Sequence, residues 1–113
     1  MDYKELMGVD IPIAAAVATY GNSLKIEMVN AEFVRLFGYT ERDLAQMGAE
    51  NMISKQDIYL LEETVAQAVQ GQRVADQEVR IRQKGHDFFW VQVRCSRLTY
   101  KNALPQLIFL FWD

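Results

Sequence analysis

The chain holds a single cysteine, Cys95, and a single histidine, His86. One thiol cannot close an internal disulfide, so nothing asks for an oxidising compartment. One imidazole, placed after Gly85 in a turn-like stretch, cannot assemble a zinc site, so no metal is expected and His86 reads as a solvated loop residue. No motif sets a base beside Cys95, and no catalytic constellation is visible, so an enzyme is not expected. Basic excess is missing as well: 12 Lys and Arg stand against 15 Asp and Glu, a formal net charge of −3. A nucleic-acid surface needs a basic patch, so nucleic acid is not an expected partner. Gly21 and Gly38 stand alone, without a glycine run to cradle phosphate. No apolar run approaches the roughly 20 residues that span a bilayer. The start, Met1-Asp2-Tyr3-Lys4-Glu5-Leu6, lacks the apolar core of a signal peptide. No membrane segment is expected, and the cytoplasm is the expected location. Internal repeats and low-complexity linkers are also absent.

What is present suits one packed domain. Half of the 113 residues are hydrophobic and 12% are aromatic. A chain of this size buries roughly two-thirds of its unfolded surface and needs no covalent staple. Residues 1–10 are expected to form a short helical cap, and residues 11–113 the domain itself.

Within the domain, Ile11 to Tyr20 reads as a buried strand and Leu24 to Val29 as a second, with Gly21-Asn22-Ser23 turning between them. Leu24, Ile26 and Met28 alternate with Lys25 and Glu27, so one face is predicted to be buried. Asn30 is placed to cap a helix that carries Phe33, Leu36 and Phe37 and stops at Gly38. Thr40 lies three residues before Asp43, a capping-box spacing, and Ser54-Lys55-Gln56-Asp57 repeats the device before a longer helix. There Leu61, Val65, Ala68 and Val69 share a face, Gly71 ends the helix, and Glu62 and Glu63 fall on its polar side. Three strands follow: Gln77 to Gln83, Phe88 to Tyr100 and Leu104 to Trp112, with turns at Lys84-Gly85-His86-Asp87 and Lys101-Asn102-Ala103. The last strand is apolar on both faces, with Leu107, Phe109 and Phe111 on one and Ile108, Leu110 and Trp112 on the other. Such a strand needs a cover on each side. The N-terminal segment of the same chain, a second copy or a neighbouring domain can supply the outer one, with Trp90, Ile108, Leu110 and Trp112 as the interface candidates.

The run Asn30-Ala31-Glu32-Phe33-Val34-Arg35-Leu36-Phe37-Gly38-Tyr39-Thr40-Glu41-Arg42-Asp43-Leu44 resembles the central signature of the PAS family of sensory domains. Ile53 and Asp57, Gly71, Glu78-Val79-Arg80, Lys84-Gly85 and Trp90-Val91 resemble further family segments, in order along nearly the whole chain. Asp113 resembles the Asp that opens the family's exit motif. The resemblance implies an α+β fold: a five-stranded antiparallel sheet with several short helices and one longer helix on one face. It also implies a sensory module taken from a larger bacterial signalling protein, with a cyclic-di-GMP synthase (GGDEF) or a histidine kinase as its attached C-terminal effector. Asp113 would then carry the signal out.

The family's flavin photosensors carry a cysteine before the long helix, where this chain reads Asn51-Met52-Ile53-Ser54-Lys55-Gln56-Asp57. Its haem binders commonly use a histidine on that helix, and Tyr59 to Gln70 has none. Neither flavin nor haem is expected, and the cofactor is left unassigned. The family's architecture encloses a cavity, so the ligand candidates are Met28, Asn30, Phe33, Phe37, Tyr39, Met52, Leu61, Val65, Gln77, Val79, Ile81, Val93 and Cys95. Side chains at such spacings fill cores more often than they line pockets, and Asn30 doubles as a helix cap. The partners expected are a small-molecule ligand, an effector domain and a second copy in a homodimer. The alternative is a filled, ligand-free module that mediates homodimerisation.

Overall fold

The computed structural model describes residues 12–98 and 103–113. Five strands form one antiparallel sheet: β1 (Ala14–Tyr20), β2 (Leu24–Val29), β3 (Gln77–Arg82), β4 (Phe88–Arg97) and β5 (Gln106–Trp112). Their spatial order is β2-β1-β5-β4-β3, so the first and last strands sit side by side at the centre. Between β2 and β3 the chain makes three helices, α1 (Ala31–Phe37), α2 (Glu41–Met47) and α3 (Ile58–Val69), with a 3-10 turn over Ala49–Met52. Among the described residues, no helix is long and apolar enough to cross a membrane.

Strand β1 opens with a run of alanines, and Ala14 through Ala18 are all buried. Ala14, Ala16 and Ala18 join the core, where their methyl groups leave room for α1 to lie close to the sheet. Phe33 and Phe37 lie one turn apart on α1 and are fully buried. They meet Phe111 of β5 edge to face, with ring centroids 5.6 and 5.3 Å away. Each such ring contributes about 1.5–3 kcal/mol by burial alone.

Capping fixes where α1 and α2 begin. The Asn30 side chain accepts from Phe33 N–H at 2.9 Å, and Gly38 closes α1 with φ +81°, a left-handed conformation that suits glycine. Thr40 and Asp43 complete a reciprocal capping box, as their spacing predicts.

The Ser54-to-Asp57 repeat of that device does not form. Asp57 precedes α3 without a side-chain cap bond, because its carboxylate turns to Arg80 on β3. Some strand ends also differ from expectation. β1 begins at Ala14, not Ile11, which with the expected cap over 1–10 lies outside the described residues. β4 ends at Arg97, with Leu98 N–H turning to Gln106 O at 2.9 Å; Thr99 and Tyr100 lie outside the described residues, as does most of the turn at 101–103. β5 begins at Gln106, after Pro105, which has no N–H to give to a ladder. The final strand has the two apolar faces expected of it: Leu107, Phe109 and Phe111 are buried inward, and Ile108, Leu110 and Trp112 are half-buried on the other side.

Candidate functional site

The helices lie over the inner face of the sheet, and a groove opens at its β2 side. This groove, of about 720 Å³, runs between β2 and the helices. Leu24 and Ile26 of β2 form one wall; Leu44, Ala45 and Gly48 at the end of α2, with Ile58, Leu61 and Val65 of α3, form the other. The small side chains of Ala45 and Ala49 keep it wide. Gly48 suits this corner because its φ is +81°, a left-handed conformation that favours glycine. Lys25, Glu50 and Glu62 put two negative charges and one positive charge on the lining.

Leu24, Ile26, Ala49 and Leu61 also border a small apolar cavity against the core. It measures about 30 Å³ and its surface is wholly apolar, with Phe33, Met52 and Val93 among its walls. That is about the volume of one water molecule, far below the roughly 300–1,000 Å³ of small-molecule sites. The groove falls within that range.

The structure gathers five of the expected ligand residues here: Leu61 in both spaces, Val65 in the groove, and Phe33, Met52 and Val93 around the cavity. Phe37, Tyr39, Val79, Ile81 and Cys95 are packed into the core instead. Burial in that core pushes the Cys95 thiol up to about 12, so it stays protonated and poorly nucleophilic. Gln77 shares the inner side of β3 with Val79 but borders neither space. Met28 is misplaced by the sequence reading. It pairs with Val17 across a β-bulge between Val17 and Ala18, and it lies outside the buried cluster.

Asn30 is a joint whose side-chain hydrogen bonds go to backbone. Its Oδ1 accepts from Ala15 N–H and Phe33 N–H, both at 2.9 Å, and its Nδ2 donates to Ile13 O at 2.8 Å. β1, the end of β2 and the start of α1 therefore meet on one amide. Of the groove residues, sequence reasoning named Leu61 and Val65 and missed the others, among them Leu24, Ile26, Leu44, Ala45, Gly48 and Ile58. The alternation of Leu24 and Ile26 announced an inward face, but nothing in it announced a gap opposite.

The outer face of the sheet is laid out differently. Arg80 lies 4.8 Å over the Trp90 ring, Arg82 4.6 Å over Phe88, and Arg94 5.4 Å over Trp112. Arg80 is held by Asp57, which accepts from its backbone N–H, Nε and Nη2, each at 2.8 Å. The Arg80 hydrogen bonds hold the Asp57 carboxyl below its ordinary range against the opposing effect of burial. Trp90 remains 53% exposed. Asp113 follows β5 and is exposed beside a shallow depression near Leu36. A larger depression, between the α3–β3 loop and the β4–β5 hairpin, has a mostly polar surface where Arg94 pairs with Asp76 at 2.8 Å and Arg97 donates to the Val69 carbonyl.

Comparison with known proteins agrees with this geometry. The family described as PAS fold matches residues 26–108. No curated protein matches the chain. Among similar solved structures is the PAS domain of a Colwellia psychrerythraea protein, 18% identical with a TM-score of 0.76, covering 98% of this chain and 94% of that one. Another is the LOV domain of a blue-light activated histidine kinase from Erythrobacter litoralis, 12% identical with a TM-score of 0.72, covering 91% and 96%. A third is the N-terminal domain of a diguanylate cyclase with PAS/PAC sensor from Marinobacter aquaeolei, 12% identical with a TM-score of 0.64, covering 88% and 94%. At these identities the likeness is one of fold.

Proposed function

The chain belongs to the PAS family, and from that premise we propose that it senses by taking a small molecule or a segment of a partner into the groove beside β2. Occupancy there biases an output domain joined through the end of β5. The observation that carries this reading is the groove itself, ligand-sized and continuous in its walls with the apolar cavity below it. An occupant would touch α3 and β2 together, so binding shifts the balance between two arrangements of those elements without chemistry. A diguanylate cyclase or a histidine kinase is the output we favour, because PAS and LOV domains of similar fold come from proteins of both kinds. Asp113, directly after β5, is the residue we assign to signal exit.

Native mass spectrometry of freshly purified protein tests the reading. A mass above that of the bare chain, lost when Ala45→Trp fills the groove, is the expected result. A mass excess that survives Ala45→Trp would place the occupant elsewhere and overturn it.

A second reading rests on the outer face, where Trp90, Ile108, Leu110 and Trp112 leave apolar surface among stacked arginines. It makes the module a homodimer joined through that face. Light scattering should then give twice the chain mass, falling to one chain mass in Trp112→Glu; a monomeric parent chain would rule it out.

A further inference from the structure

The groove follows the free edge of a β-strand, and that narrows what it can hold. β2 ends the sheet. Among the described residues, one hydrogen bond reaches it from outside the sheet: Val29 N–H donates to Glu41 Oε1 at 3.0 Å. From Leu24 to Met28 the outward-facing backbone groups are available for pairing, and Leu24, Lys25 and Ile26 line the groove itself. A free edge is a template for another strand; the bulge that leaves Glu27 out of register limits regular pairing here to the stretch from Leu24 to Ile26.

We infer that the groove's occupant is an extended peptide that adds to the sheet as a sixth strand beside β2. This rests on the reading that the groove is the binding site. The core cavity beside the groove, at about 30 Å³, is too small for a metabolite, so an occupant of this site lies in the open groove along the strand. The regular stretch ahead of the bulge, Leu24 to Ile26, measures about 10 Å and pairs with about three residues of a peptide at the strand rise of roughly 3.3 Å per residue. Its alternate side chains enter the groove against Leu24, Ile26, Leu44 and Leu61, where the small side chains of Ala45 and Ala49 leave space. Its backbone pairs with β2, the mode in which main-chain bonds give affinity and side-chain pockets give selectivity. The lining carries Glu50 and Glu62 against Lys25, so the peptide is apolar at alternate positions and basic at its flank.

The test uses the whole chain and a capped heptapeptide, Lys-Val-Thr-Val-Thr-Ile-Lys, followed by fluorescence anisotropy and amide hydrogen exchange. Two further versions carry N-methyl groups on alternate backbone nitrogens, one set for each edge of the peptide. The expected result has three parts. One methylated set weakens binding about tenfold or more while the other does not. The β2 amides between Leu24 and Met28 exchange more slowly with the parent peptide bound. Ala45→Trp, a change at an exposed helix position, removes binding.

Equal binding of both methylated sets would overturn the inference, because side chains alone would be responsible. Anilinonaphthalene sulfonate, a small apolar probe, separates this failure from that of the underlying site. If the probe binds and Ala45→Trp abolishes it, while the peptide stays unbound at about 1 mM, the groove is a small-molecule site and the strand inference falls. If neither binds, the site reading falls with it. Slow β2 exchange without peptide, in a chain that runs as a dimer, would mean that a second copy's β2 fills the edge, and that too overturns the inference.

Discussion

Strand β3 ends the sheet on one side and strand β2 on the other, and their outer backbones meet opposite fates. Along β3 the segment between the 3-10 turn and α3 is laid down as a seal. Ile53 bridges Ile81, Ser54 N–H donates to Arg80 O at 2.9 Å, and the Asp57 carboxylate accepts from Arg80 N–H at 2.8 Å. Along β2, among the described residues, a single side chain, Glu41, reaches the outer backbone, and a groove opens beside the rest. An edge costs little to close when a loop already passes it, so the edge that stays open beside apolar walls is the one to examine for binding. The sealed edge is made of fold; the open one is where the surroundings can act on the fold.

Breaking the seal should have the largest effect. Ile53 is 6% exposed and belongs to the core as well as to the bridge. Ile53→Ala is expected to lower unfolding stability by about 2–4 kcal/mol, as buried Ile-to-Ala changes do. Urea denaturation measures it, and a loss within about 0.5 kcal/mol, the range of surface substitutions, would show that this segment is no seal.

A smaller loss is expected where β2 is anchored. Asn30→Ala strands the Ala15 and Phe33 N–H groups and removes the cap of α1, a cost of about 2–3 kcal/mol. Here the comparison sharpens: amide exchange should accelerate in β1, β2 and α1 while β3 and β4 keep their protection. Uniform acceleration across the sheet would mean that the two edges do not open independently.

The third effect concerns pH and is the smallest at neutrality. Hydrogen bonding to Arg80 holds Asp57's folded pKa below the ordinary value of about 3.9. Its contribution is therefore complete above that value and is lost as the pH falls through the lower folded value. Stability should decline on acidification below about pH 4, and Asp57→Asn should flatten that part of the profile. An unchanged acid limb in the variant would assign the decline to other carboxylates, such as Asp43, which the Thr40 backbone N–H and Lys84 also hold low.

Much of this could be read along the chain, and the reason lies in what local chemistry encodes. β2 falls on its expected residues, Leu24 to Val29, because alternation defines a half-buried strand. α1 lies between Asn30 and Gly38, because a cap and a left-handed glycine are local signals. Asp57 misled for the opposite reason. Its spacing from Ser54 imitates a capping box, but a partner 23 positions away, Arg80, offers two charge-assisted bonds and takes the carboxylate. The groove was illegible because it consists of missing atoms. Alanines and a glycine leave no periodic mark, and a core list drawn from large apolar residues selects the side chains that fill space, such as Phe37 and Ile81.

The alanine run of β1 also limits how the sequence can change over generations. A methyl side chain at the middle of a sheet cannot be trimmed except to glycine, and every other exchange brings new atoms into a packed site, with the small cavity beside Ala16 as relief. Overpacking of that kind costs typically about 1–3 kcal/mol, so the alanines from Ala14 to Ala18 form a stretch where drift is almost closed in one direction. The strand with the least chemistry in its side chains is thus the one with the fewest permitted neighbours in sequence space.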